Sequence, residues 1–391
     1  MTEGVTGQAQ EDPGLRRYLL PVLAILGIVI LAVGLRVLAD PRASQSLLAF
    51  IYDIIGNTAG ADDLRRGAGD LLLAKIVLAG VALVIGVGGM WLIYAGVSAI
   101  VGLLPLRLQE KVYPWVFVVP AILLLGTYLV YPAIATFITS FTDGTAGDPL
   151  RHYRELTTPP FLAIFRNNLI WLVVGTLGSV GLGLAIAGLV DRVRREALAK
   201  TFIFLPLAIS LVGASVIWRF VYAWKPEGLP QIGLANAVVT GLGGDPVPWV
   251  QTPPINTYAL ILIMIWLQTG FAMVILSAAI KGVSVEIIEA ARLDGASERQ
   301  LFFGVIVPMI RGSIITAATF IAIAILKIFD IVYVMTGGRF DTDVVANRMF
   351  LEMFQFFNDG RAAALAVVLF LAVLPVMVVN VRNLRGQGIG A

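Results

Sequence analysis

Residues 281–311 read K-G-V-S-V-E-I-I-E-A-A-R-L-D-G-A-S-E-R-Q-L-F-F-G-V-I-V-P-M-I-R and lie between two long apolar runs. The stretch is too polar to cross a membrane and too patterned to be a plain linker. Its spacing predicts two short helices. The first runs over Val285 to Leu293, with Val285, Ile288 and Ala291 on one face and Glu286 and Glu289 on another. Asp294-Gly295 should stop it, because glycine accepts the left-handed conformation that closes a helix. The second should start at Ser297, with Gln300 three places on as a capping box. Leu301, Phe302, Val305 and Ile306 give it an apolar face, and Pro308 stands near its end.

Composition sets the class around that stretch. Hydrophobic residues make up 58% and charged residues 14%, against roughly 25% charged in soluble domains, so the expectation is an all-α integral membrane protein. With no cysteine, disulfides, thiol catalysis and thiolate metal sites are excluded together. A single histidine, His152, rules out a multi-histidine metal cluster within the chain, and no cofactor is called for. The net charge of +3 is too small to argue for nucleic acid.

Eight apolar runs follow in order: Tyr18–Leu38, Leu71–Leu104, Trp115–Phe141, Asn168–Val190, Thr201–Trp224, Ile255–Ile280, Gly312–Met335 and Ala362–Val381. Each is about long enough to span ~30 Å of hydrocarbon. The first is read as an uncleaved helix rather than a signal peptide, because the apolar core of a signal peptide is shorter. Residues 1–17 read as a loose cytoplasmic tail. Residues 40–70 read as a loop with a short interfacial helix, and residues 225–254 as a proline-rich loop of low charge. Gly86, Gly88 and Gly89 permit a bend in the second run. Ser179, Gly183 and Ala187 recur every four residues in the fourth, which suits close helix packing. With the N-terminus inside, the inner segments hold fourteen Lys and Arg and the outer loops ten. The positive-inside rule then puts both termini and residues 281–311 in the cytoplasm.

The 281–311 stretch closely resembles the E-A-A loop of the membrane subunits of bacterial ATP-driven importers. That pattern is E-A-A, three residues, G, nine residues, then I-x-L-P. Here Glu289-Ala290-Ala291, Gly295, Val305 and Val307-Pro308 match it with two conservative departures, and Asp294-Gly295-Ala296 fits its usual D-G-A. From about Tyr113 to Arg385 the chain is similar to the six-helix core of the maltose-type sugar permeases. Val130-Tyr131-Pro132-Ala133-Ile134, Trp249 with Pro253-Pro254, and the run from Leu326 to Gly338 carry that likeness. The family's signature goes on with another Gly and Pro where this chain has Arg339-Phe340, which leaves the shape of that outer loop open.

The resemblance implies a type I ABC importer permease core of six transmembrane helices over 113–385, preceded over 18–112 by two extra N-terminal helices and their outer loop. It implies a second permease subunit, in a heterodimer, two ATP-binding-cassette ATPase subunits, and an extracytoplasmic solute-binding protein. The solute is expected to be a sugar or oligosaccharide, with glycerol phosphate as an alternative. The docking residues for the ATPases would be Glu286, Glu289, Ala290, Ala291, Asp294 and Gly295.

The rest of the chain carries no catalysis of its own. None of the six lysines follows a glycine, so a phosphate-cradling G-x-x-x-x-G-K-[ST] loop is impossible and ATP hydrolysis must belong to another chain. Neither G-x-S-x-G nor H-E-x-x-H occurs. Charges within the runs are few. Arg36, Lys75 and Arg219 lie near ends and can snorkel. Lys327 is deeper, with Asp330 three places on, which is either a self-neutralising pair or a polar cavity lining. Gln268-Thr269-Gly270 interrupts the sixth run; Gln268 offers donor and acceptor to a hydroxyl-rich solute or to a neighbouring helix. Thr316 and Thr319 are weaker candidates, since a helical threonine most often bonds its own backbone. The expected solute path thus involves Gln268, Thr269, Thr319, Lys327 and Asp330. An ion-coupled secondary transporter is the alternative from another class. It would call for acidic residues at mid-membrane and inverted repeats, and only Asp330 lies well within a run.

Overall fold

The computed structural model describes residues 41–387 apart from 55, 66–70, 103, 143–147 and 192–193, together with 22, 26, 27 and 29. All regular structure among the described residues is helical. The chain divides into two compact units, Met1–Tyr131 and Pro132–Ala391. Among the described residues five helices are long and apolar enough to cross a membrane, and seven if two sharply bent pairs each count as one span. The expected span Tyr18–Leu38 and the tail before it lie outside the described residues, save four positions of that span. One of these, Gly27, is helical, and a Cβ there would come 2.7 Å from Leu92 Cβ.

In the first unit, α1 (Pro41–Ile54) and α2 (Thr58–Arg65) form a helical hairpin where a loop with one short helix was expected. Leu48, Ala49, Ala61 and Leu64 bury one another, and Arg65 pairs with Asp53 and with Asp62 at 3.1 Å. α3 (Leu71–Gly102) runs unbroken through Gly86, Gly88 and Gly89. The Gln109 side chain then donates to the carbonyls of Gly102 and Leu104, at 3.0 and 2.7 Å, at the turn into the next helix. That helix, α4 (Leu106–Thr142), starts well before the expected Trp115 and continues past Tyr131, where the first unit ends. It contains a π-helical segment at Gly126–Val130, just ahead of Pro132. Proline has no N–H to donate and crowds the carbonyl one turn back, and the wider turn takes up that misfit.

In the second unit, α5 (Arg151–Glu155) precedes α6 (Pro159–Val190), which begins nine residues before the expected Asn168. The fifth expected span, Thr201–Trp224, is not one helix. α7 (Glu196–Ala208) and α8 (Leu211–Val221) meet at 101°. Pro206 opens a short 3-10 turn, and Ser210 starts α8 by accepting a hydrogen bond from Gly213 N at 3.0 Å. α9 (Leu234–Gly241) lies in the proline-rich loop. α10 (Ile255–Lys281) is the central helix: Leu260, Ile261, Ile263, Met264, Met273 and Leu276 are all within 1% of complete burial. A helix apolar on every side belongs inside the bundle, and of its middle only Tyr258, Leu262 and Val274 stay 41–49% exposed.

After the 281–311 stretch, α13 (Arg311–Leu326) and α14 (Asp330–Met335) take the place of the single expected span Gly312–Met335, with a break at 327–329. α15 (Val345–Phe354) and α16 (Asp359–Gln387) complete the chain. Asn168 holds the break. Its amide nitrogen donates to Leu326 O at 3.2 Å and its oxygen accepts from Val345 N at 2.7 Å. Where the chain departs from the sugar-permease signature, Phe340 and Asp341 adopt left-handed φ of 58° and 61° and turn the chain.

Helix packing follows the small residues of α6. Ser179, Gly183 and Ala187 are buried as their spacing predicts. A Cβ on Gly183 would lie 2.5 Å from Ala272 Cβ and 2.9 Å from Met273 N, on α10. Gly175 faces Ile325 and Gly178 faces Ile265 in the same way. At the end of the bundle away from 281–311, the fully buried Glu352 carboxylate is held by Arg348 at 2.8 Å and Arg361 at 3.1 Å, and Arg361 reaches on to Glu155 at 2.9 Å. A buried charge is tolerable only when paired in this way. Burial alone would raise the Glu155 pKa, but the guanidiniums of Arg361 and Arg151 hold it below the ordinary carboxylate value.

Gly183→Ala is expected to destabilise the α6–α10 contact by about 1–3 kcal/mol, the usual cost of overpacking. Gly181→Ala, with nothing within 4 Å of the new Cβ, is expected to be neutral. Thermal unfolding of the two purified variants, followed by size-exclusion fluorescence, checks this; equal midpoints would refute it.

Candidate coupling loop and solute path

The loop at 281–311 folds as its local chemistry dictates. α11 (Val285–Leu293) has the predicted bounds. Gly295, at φ 83°, ends it. Gly295 N donates to Arg292 O and Ala296 N to Ala291 O, both at 3.0 Å. These are the two reciprocal bonds of a Schellman close, which require a left-handed residue between them. Ser297 and Gln300 form the predicted capping box at the start of α12 (Glu298–Met309). Arg292 Nε donates to Glu298 Oε1 at 3.1 Å across the turn.

The loop is seated by one apolar face. Val283, Leu301, Ile306 and Ile310 are buried, and Ile288, Ala291, Phe302 and Val305 pack on them. Phe302 fits against α6 at Gly188, where a Cβ would stand 2.7 Å from its ring. Val285, at the start of α11, is 62% exposed. Of the predicted docking residues, Glu286, Glu289, Ala290, Asp294 and Gly295 are exposed and Ala291 is half-buried. Exposed Ile287 and Leu293 lie among them, so the free face is mixed acidic and apolar.

A polar cluster ties the loop to the bundle. Lys281 Nζ lies 2.5 Å from Glu196, which also binds Lys200 at 2.5 Å. Lys200 reaches Asp191 at 2.7 Å and contacts the Ser277 hydroxyl, which donates to Asp191 at 2.7 Å. The ends of α6 and α10 and the start of α7 are thereby joined beside α11.

The candidate solute-path residues are distributed along α10 and α13. Thr269 and Thr319 are buried, and each hydroxyl donates to its own helix, to Ile265 O at 2.6 Å and Ile315 O at 2.8 Å. Thr316 does the same toward Gly312 O at 3.0 Å. Gly270 is occupied by backbone: its Cβ would fall 2.5 Å from Ile203 O on α7. Phe271 and Phe320 meet edge-on at 6.3 Å between α10 and α13. Gln268 is half-buried. Lys327 and Asp330 form no ion pair among the described residues. The helix breaks at Lys327, which is exposed, and Asp330 opens the next helix, so the i,i+3 relation that would join them does not exist.

The sequence reading left the buried amides Asn167, Asn168 and Asn256 unassigned. Asn167 donates to Asp341 O and Asp343 O, at 2.7 and 3.0 Å, and Asn256 to Phe340 O at 2.7 Å. The available signal was an Asn-Asn pair at the head of an apolar run, where an amide must find both a donor and an acceptor.

Residues 179–384 match the family of the binding-protein-dependent transport system inner membrane component. The chain belongs to that family. It is therefore a multi-pass inner-membrane transport subunit, and the ion-coupled alternative is set aside. The chain is 52% identical over 274 residues to the osmoprotective compounds uptake permease protein GgtC of Synechocystis sp., covering 69% of this chain and 98% of that one. It is 46% identical over 283 residues to the alpha-glucoside transport system permease protein AglF of Rhizobium meliloti, covering 71% and 84%. In fold it is similar to a crystal structure of a bacterial ABC transporter that imports the acidic polysaccharide alginate, with TM-score 0.61, 21% identity, and coverage of 71% of this chain and 99% of that one. A second structure of a bacterial alginate ABC transporter, in complex with an alginate pentasaccharide-bound periplasmic protein, matches with TM-score 0.60 at 19% identity over 70% and 96% of the two chains.

Gly295→Ala introduces no clash, since nothing lies within 4 Å of the new Cβ, and isolates the cost of a left-handed alanine, about 1–2 kcal/mol. Amides 285–296 are expected to lose about tenfold in hydrogen-exchange protection. Gly304→Ala, with equal space and a helical φ, should lose none; equal effects would show that conformation is not what Gly295 supplies.

Proposed function

We propose that this chain is the membrane-spanning permease subunit of an ATP-binding-cassette importer for a sugar or oligosaccharide. In this reading it pairs with a second permease subunit, two ATPase subunits dock on the 281–311 loop, and an extracytoplasmic binding protein delivers solute at the other end. The observation that carries it is the exposed acidic and apolar face of α11, held in one conformation by the Schellman close and seated through Phe302 on α6. A rigid surface of that kind can transmit the motion of a docked partner to the spanning helices. The names of the relatives, which carry osmoprotective compounds and alpha-glucosides, support a glycoside as solute. Both termini and the loop are cytoplasmic in this proposal, and residues 113–385 form the transport core with two additional helices before it.

The solute path runs past Gln268, Thr269, Thr319, Lys327 and Asp330. Each hydroxyl of a sugar must exchange water for a protein partner as it crosses, or cost about 1–3 kcal/mol. Gln268 supplies an amide, and Lys327 and Asp330, freed from each other by the helix break, supply a donor and an acceptor separately. Two states biased by ATP binding in the partner subunits would expose this path alternately to either side.

With the partner subunits coexpressed, cells are expected to take up a labelled α-glucoside such as maltose. Glu289→Lys should lower uptake by about tenfold or more, since like charges set against each other across an interface cost several kcal/mol, and should reduce ATPase co-purification while membrane insertion is unchanged. Normal uptake and co-purification would remove the loop from coupling.

Orientation has its own test. Single cysteines at Ser297 and Thr240, in a chain with none of its own, are expected to be protected and labelled, respectively, by an impermeant reagent applied outside. The reverse pattern would invert the topology.

A further inference from the structure

At the end of the second unit away from the coupling loop, a cleft of about 360 Å³ is lined by Arg219, Trp224, Gln251, Arg339 and Phe340 over a floor that includes Tyr222. The 27-residue α10 sets it about 40 Å from that loop, at 1.5 Å per residue. The volume falls within the range of small-molecule sites, about 300–1,000 Å³, and is enough for one or two sugar rings.

The lining is built rather than incidental. Arg219 ends α8, and neither it nor Arg339 has a carboxylate partner among the described residues. Arg339 donates from Nε to Thr336 O at 3.1 Å and keeps its remaining N–H groups. Trp224 and Phe340 are 36% and 44% exposed, and the Arg339 guanidinium lies over the Phe340 ring, 6.0 Å from its centre. The Tyr222 hydroxyl donates to Ala259 O at 2.9 Å, so it has no proton left to give a ligand. One wall is set by Asn236, whose oxygen accepts from Val247 N at 2.8 Å and Trp249 Nε1 at 3.1 Å and so fixes the 247–251 segment.

The other wall is the strained loop 337–341. Phe340 stands at φ 58°, a conformation unfavourable for a residue with a Cβ. The loop is held there from both sides, by Asn256 bonding Phe340 O and by Asn167 and Arg166 bonding Asp341. Such over-determined strain marks positions where a side chain is held for a purpose.

We propose that this cleft is a saccharide subsite at the mouth of the path, in which Arg339 and Phe340 determine what the permease accepts from outside. The proposal rests on the sugar-importer reading. Guanidiniums offer only donors, in a rigid fork that suits the oxygen lone pairs of neighbouring sugar hydroxyls, while Gln251 can answer both donors and acceptors. Trp224 and Phe340 provide flat apolar surfaces for the C–H face of a pyranose. A concave cleft of this size, with three aromatic residues in its lining, suits a ring better than a protein surface, which makes docking of the binding protein the outcome to be distinguished.

The test uses the purified permease–ATPase complex without its binding protein, and maltose as probe, in saturation-transfer NMR. Wild type is expected to show transfer to the sugar protons. Arg339→Gln and Phe340→Gly, the latter relieving the strained φ, are each expected to reduce it about fivefold, as the loss of one or two net hydrogen bonds or a stacking face would. The affinity of the complex for the loaded binding protein should not change. Undiminished transfer in both variants, no transfer in wild type, or an effect confined to binding-protein affinity would each overturn the subsite. If wild type also fails to take up any labelled saccharide in cells, the importer reading itself falls; if uptake is normal, only the subsite does.

Discussion

The close approach of α6 to α10 at Gly183 is the contact on which the second unit depends. Lipid tails are as apolar as leucine, so helices in a bilayer gain nothing from merely hiding apolar surface and must gain from close contact. Without a Cβ at Gly183, the α6 backbone reaches Ala272 and Met273 directly. The same helix lodges Ile325 of α13 at Gly175, Ile265 of α10 at Gly178 and Phe302 of α12 at Gly188. One helix therefore seats the central span, the broken span and the 281–311 loop together. A displacement of α12 bears on α6 through a ring held against backbone, with little slack to absorb it.

The broken helices place backbone polar groups where a continuous helix would have hidden them. In hydrocarbon such groups must find partners in the protein, so irregular backbone is confined to protein-lined sites. Asn168 meets this need at the α13 break by bonding Leu326 O and Val345 N, and Ser210 meets it at the head of α8. The α13 break also separates Lys327 from Asp330, leaving two opposite charges available one at a time.

Charged side chains collect at the two ends of the bundle. Asp191, Glu196, Lys200 and Lys281 cluster beside α11, while Glu155, Arg348, Glu352 and Arg361 cluster at the far end. Both groups link helices distant in sequence, and both leave the spans between them nearly free of charge. Arg219 and Arg339 stand apart from these clusters, with no carboxylate partner among the described residues.

Much of this protein was legible in its residues because the deciding interactions are local. The bounds of α11, its close at Gly295 and the capping box at Ser297 each depend on groups within six residues of one another, and the fold class depends on composition alone. The buried stripe at Ser179, Gly183 and Ala187 was legible from spacing. Tertiary structure alone decided what depends on distant partners. Val285 faces outward because the loop is seated by Val283 and Leu301 instead. The span expected over Thr201–Trp224 turns by 101° at a proline and a serine, residues that elsewhere in this chain sit inside continuous helices. The single span expected through Lys327 breaks because an asparagine some 158 positions earlier satisfies the backbone that the break exposes. Apolar periodicity reports which residues can lie in a membrane; whether a helix continues there depends on a hydrogen-bond partner that only the folded chain brings within reach.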